Sequence, residues 1–169
     1  MGYTTEFIGA FKLNKPLTIA QARYLEAFCH TRRMKRNEIM TATYPDPIRE
    51  AAGLPLGAQG RHYVGASGKD CGQSETPDIV EYNNPPDGQP GLWCHWLGTS
   101  AGDGIEWDGG EKFYYYVEWL QYIVDHFLKP WGLSLYGEVE WRGEDSDDRG
   151  KIIAVDNVIS TKTARIIFE

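Results

Sequence analysis

The stretch FYYYVEWLQYIVDHFL, residues 113–128, carries its apolar side chains at helical spacing. Phe113, Tyr116, Val117, Leu120, Ile123, Val124, Phe127 and Leu128 recur at offsets of three and four. Those offsets put them on one stripe of an α-helix. A stripe this wide and this aromatic must be covered by another layer of structure, so the chain has to supply one. The spacing predicts a helix over 110–129. In WDGGEKF, Asp108 stands three residues before Glu111 in the manner of a capping box, and KPWG at 129–132 supplies the stop. Glu118, Gln121, Asp125 and His126 lie within the stretch and keep it from crossing a bilayer.

The covering layer is legible as strands. Residues 3–13 alternate, with Tyr3, Thr5, Phe7, Gly9, Phe11 and Leu13 on one side. DIVEYN (78–83), GLWCHWLG (91–98) and DGIEW (103–107) are further strand candidates, and RHYVG (61–65) reads as a short one. LSLYGEVEWRG turns Leu133, Leu135, Val139 and Trp141 inward, and KIIAVDN with VISTKTARIIF completes a meander. A second helix begins at Thr18, whose capping box closes on Gln21, and runs to about residue 31. Ile19, Ala22, Leu25, Phe28 and Cys29 form its apolar stripe. The order predicts an α+β fold: an antiparallel sheet with two helices packed on one face and a C-terminal β-meander. A single domain over 1–169 is expected, with an irregular Gly/Pro-rich insertion at about 37–77.

With six Trp, ten Tyr and six Phe, the chain can fill a core without disulfides or a structural metal. Cys29, Cys71 and Cys94 have no CxxC spacing, and the four His show no paired ligand spacing. No metal or cofactor is called for. The thiols and the absence of a basic-then-apolar leader point to a cytoplasmic protein. The net charge of −7 disfavours duplex nucleic acid as a partner.

Three segments are candidates for binding. TRRMKR concentrates Arg32, Arg33, Lys35 and Arg36, which suit a phosphate or an acidic partner face. QPGLWCHW sets Trp93 and His95 on one strand face with Cys94 and Trp96 on the other, so one tryptophan is expected in the core and the other could stack a ring. In WDGGEKF, Asp108 is expected to cap the long helix, and Lys112 beside its first N–H groups could face an anion. GxxxxGK[ST] and GxGxxG are both absent, and no catalytic constellation is complete.

QPGLWCHW, IEWDGGEKFYYYVEWLQYIVDHFLKPWG and LYGEVEWRGEDSDDRGKIIAVDNVI, with the opening YTTEFIGAFKLNKPL and TRRMKR, resemble a family of small, mostly uncharacterised proteins encoded by bacteria and their phages. The resemblance implies a phage or mobile-element setting and brings no activity with it. The expected function is a non-enzymatic phage-type binding protein. It would occupy a host protein, such as a defence effector, or a small anionic nucleotide-like ligand. The alternatives are an enzyme acting on a nucleotide or its phosphate, with Asp108, Glu111 or His95 as acid or base, and a virion or assembly component that forms a homo-oligomer.

Overall fold

The structure, a computed structural model, describes residues 2–68 and 76–169. The elements follow as β1 (Thr5–Ile8), β2 (Phe11–Leu13), α1 (Ile19–Cys29), β3 (Lys35–Arg36), α2 (Glu38–Thr41), α3 (Pro47–Ala51), β4 (Ile79–Glu81), β5 (Trp96–Gly98), β6 (Gly104–Trp107), α4 (Tyr116–Ile123), β7 (Leu135–Gly143), β8 (Arg149–Val155) and β9 (Val158–Thr163). A 3-10 turn lies at Ala58–Gly60, and a π turn at Val124–Leu128 continues α4. The fold is α+β. The chain divides into two compact units, one from the residues up to Pro16 with His95–Glu169, the other from Leu17–Cys94. The expectations for Cys71 and the rest of 69–75 lie outside the described residues.

The first unit holds a seven-stranded antiparallel sheet in the order β5-β6-β2-β7-β8-β9, with β1 also on β7. The meander β7-β8-β9 is as the alternation predicted. Its last turn, Asp156–Asn157, has both residues left-handed, at φ 47° and 67°. That is the geometry a two-residue hairpin requires, and it fixes the register Val155↔Val158. Asn157 locks the turn to the entry of β7: its Oδ1 accepts from Leu135 N at 2.7 Å and its Nδ2 donates to Leu133 O at 3.0 Å. The inner face buries Leu135, Val139, Ile152 and Ala154. Gly150 stands opposite Trp141, and a Cβ there would lie 2.3 Å from the indole Cη2, so the ring occupies the space a side chain would need.

The long helix starts later than its periodicity predicts. Residues 108–115 form a loop, with Gly109, Lys112 and Tyr115 at positive φ of 83°, 59° and 57°. Left-handed residues cannot propagate a right-handed helix. Phe113 still reaches the core, at 2% exposure, but from the loop. In the helix Trp119, Leu120, Ile123, Val124, Phe127 and Leu128 are buried, and Lys129 N donates to Val124 O at 2.9 Å across the π turn. Leu120→Ala is expected to cost about 2–5 kcal/mol from lost transfer energy and the cavity left behind. Urea unfolding measures it, and a loss well under 1 kcal/mol would contradict this placement.

The second unit has little regular structure and is organised by α1 and buried polar groups. The Thr18–Gln21 capping box is formed, with Gln21 N donating to Thr18 Oγ1 at 3.1 Å and Thr18 N to Gln21 Oε1 at 2.9 Å. The buried face is Tyr24, Leu25, Ala27, Phe28 and Cys29; Ile19, expected on it, is 89% exposed because it lies at the helix's first turn. RHYVG is a run of turns rather than a strand. Its backbone is held by Asp46, whose Oδ1 accepts from Val64 N at 3.1 Å and Gly65 N at 3.0 Å, while Arg49 Nε donates to Oδ2 at 2.5 Å.

Candidate functional site

The basic segment is not a solvated surface. α1 ends at Cys29, and of the basic run only Lys35–Arg36 is strand, so Arg32–Arg36 do not crown a helix end. Arg33 is 2% exposed; its guanidinium lies over the Phe28 ring, 4.2 Å from the centroid, and donates to the carbonyls of Arg61 and Tyr63. Arg36 is 3% exposed, stacks 4.5 Å from the Tyr63 centroid, and pairs with Asp78 at 2.8 Å. Burial pushes the Asp78 carboxyl up, but hydrogen bonds from Thr76, Thr41 and Arg36 outweigh it and hold the group below the ordinary carboxylate range. Arg32 covers the Tyr82 ring at 4.3 Å and donates to Tyr82 O and Asn83 Oδ1. Lys35 bridges Asp87 at 3.1 Å and Glu81 at 3.7 Å. The hydrogen bond it donates to Asp87 raises its ammonium pKa. All four cations have partners within the second unit, Arg33 and Arg36 buried and Arg32 and Lys35 part-exposed.

The tryptophans divide as the strand alternation implied. Trp96 is the core member, fully buried, with edge contacts to Phe7, Phe11 and Phe113, and its Nε1 donates to Tyr116 O at 2.7 Å. It offers no stacking face. Trp93 is half-buried and belongs to the second unit, whereas His95 begins the last stretch of the first.

Asp108 does not cap the helix. Its carboxylate accepts from Gly110 N at 2.7 Å and faces His95 Nδ1 at 3.0 Å through both oxygens. The backbone closes the same contact, with Asp108 N donating to His95 O at 2.9 Å. A Cβ at Gly110 would lie 2.5 Å from His95 Nδ1, so the glycine is what lets the loop pass. Trp107 Nε1 donates to Gly110 O at 3.1 Å, and the His95 ring sits edge-on to Phe113. These contacts pin the loop that carries Phe113 into the core. Lys112 is exposed on that loop, four residues ahead of the first residue of α4 and not at its N–H groups.

Positive charge gathers instead on the outer face of the meander. Side chains at alternate positions of a strand share a face. Register therefore sets Glu140, Lys151 and Lys162 in one cross-strand row and Arg142 with Arg149 in the next. These five residues line an open groove of about 400 Å³. Lys151 reaches Glu138 at 3.2 Å, and Arg142 comes within 3.8 Å of Glu140. Among the described residues Arg149 and Lys162 make no ion pair. Toward the β7–β8 turn the sign reverses, because Glu6, Glu144 and Asp145 line a neighbouring groove that Arg142 and Arg149 also border. The attraction for an anion therefore points toward Lys151 and Lys162. These residues were missed from the sequence because they are spread over three strands. The signal was present in the outward parity of 140, 142, 149, 151 and 162 once the two-residue turn sets the register.

Among the described residues no helix is long and apolar enough to cross a membrane. No family model, no curated protein and no solved structure matches the chain.

Proposed function

We propose that the protein is a non-enzymatic binding module that takes an acidic protein surface on the outer face of its C-terminal meander. One observation carries the reading: Arg142, Arg149, Lys151 and Lys162 converge on one face of a chain whose net charge is −7. A local positive field on a negative protein steers an anionic partner and orients it. A protein face suits this groove better than a nucleotide does, because base recognition needs an exposed ring. Trp141, the aromatic residue that lines the groove, is only 7% exposed. The His95–Asp108 pair is explained by loop closure, which leaves the enzymatic alternative without a distinct support. A host protein as partner agrees with the resemblance to phage-encoded families.

Poly-L-glutamate is a suitable probe, titrated by calorimetry at low and physiological salt. Reversal of both Arg149 and Lys162 to glutamate is expected to weaken binding about tenfold or more. Binding by the parent protein is expected to weaken as salt screens exposed charge over about 8–10 Å. Equal affinity of parent and variant would overturn the reading. So would tighter binding of inorganic tripolyphosphate than of poly-L-glutamate, which would favour a small phosphate ligand.

A further inference from the structure

Strand β9 ends the sheet order, and among the described residues nothing pairs with its side away from β8. Its hydrogen-bonding parity follows from the turn. Residues flanking a two-residue hairpin loop form a hydrogen-bonded pair, and such pairs alternate along the ladder. Val158, Ser160 and Lys162 therefore direct their backbone groups to β8, and Ala164 N continues the series by donating to Arg149 O at 2.8 Å. The N–H and C=O groups of Ile159, Thr161 and Thr163 face outward along the free edge.

Open edges of this kind recruit strands unless charge or geometry prevents it. Here the charge is selective. The row Glu140–Lys151–Lys162 reaches the edge as a cation, and β9 carries no acid. Four residues from Lys162 on the same face, Val158 is 68% exposed beside Val155 at 60%. A strand added about 4.8 Å beyond β9 would continue both rows. The edge thus favours an acid opposite Lys162 and an apolar residue opposite Val158, and it repels a basic strand.

Resting on the acidic-partner reading above, we infer that the partner is held by β-augmentation: an extended acidic segment, with a carboxylate and an apolar side chain four positions apart, pairs antiparallel with the free edge of β9. The carboxylate meets Lys162. The main chain meets Ile159, Thr161 and Thr163.

The test uses the blocked nonapeptide TETETTTVT, in which the second glutamate and the valine have that spacing, with TKTKTTTVT as control. Addition of TETETTTVT is expected to slow amide hydrogen exchange at Ile159, Thr161 and Thr163, while poly-L-glutamate and the lysine peptide leave those amides unchanged. Thr161→Pro removes one outward N–H without touching the β8 ladder, a place where an edge strand tolerates proline. It is expected to weaken the nonapeptide roughly tenfold, through a lost backbone hydrogen bond and a disturbed edge, and to leave poly-L-glutamate binding intact. Unchanged exchange at the three amides of the parent protein on adding the nonapeptide would overturn the inference, whether or not Thr161→Pro folds. So would a concentration-dependent dimer that Thr161→Pro dissociates, since a second copy would then own the edge. Failure of the acidic-partner reading looks different: poly-L-glutamate binding itself would ignore the charge reversals at Arg149 and Lys162.

Discussion

Asp78→Ala is expected to destabilise the protein by about 3–5 kcal/mol, the cost of breaking a buried ion pair from one side. Asp78 is fully buried and accepts from Arg36 Nη1 at 2.8 Å, from Thr41 Oγ1 at 2.8 Å and from the Thr76 hydroxyl. Removing it takes from the Arg36 guanidinium, itself 3% exposed, the buried carboxylate it donates to at 2.8 Å. The Tyr63 ring beneath that guanidinium offers only a partial substitute. The pair also has a pH signature. The folded carboxyl is held below its ordinary value, so its contribution is complete above the unfolded pKa and is lost as pH falls through the folded one. The parent protein is expected to lose stability from about pH 5 downward. Asp78→Asn, already neutral, should show a shallower decline over the same range. Urea unfolding at pH 7 and at steps below pH 5 checks both statements. A loss under 1 kcal/mol in Asp78→Ala, or identical acid slopes, would mean that the pair does not hold the second unit together.

Trp96→Ala is expected to cost about 3–5 kcal/mol, the range for a large aromatic removed from a core. Its ring centroid lies 5.2 Å from that of Phe7, 5.8 Å from Phe11 and 5.3 Å from Phe113. The substitution therefore opens a cavity bordered by β1, β2 and the loop before α4. It also removes the donor to Tyr116 O, at the first turn of that helix. Trp96→Phe should recover part of the loss by refilling the cavity without restoring the hydrogen bond. Unfolding midpoints of the two variants at constant m-value separate the packing and hydrogen-bond parts. Similar losses for both would place the weight on the Nε1 contact instead of the ring.

What could be read in advance was what depends on near neighbours in the chain. The Thr18–Gln21 cap is such a feature, and so is the alternation of β7. The loop at 108–115 was illegible because Phe113 fits the helical period yet reaches the core from outside the helix. Nothing in the period reveals left-handed conformations at Lys112 and Tyr115. The run Arg32–Arg36 looked like a surface because its counter-charges are far away in sequence: Asp78, Glu81 and Asp87 lie more than forty residues on. The positive groove was hidden for the same reason. It exists only after three strands are in register.

The placement of Leu17–Cys94 between β2 and β5 orders events during synthesis. β1 cannot find its partner until β7 has been made, because Thr5 pairs with Gly143 and Ile8 with Glu140. The inserted segment forms a compact unit whose residues are all translated before β5. It can therefore condense on the ribosome while the first strands, with Phe7 and Phe11, still wait as unpaired, aromatic-bearing chain. Of the two, β2 finds β6 once residues 104–107 are made, whereas β1 waits for residues 140–143, so chaperone demand should concentrate on the interval before those are translated.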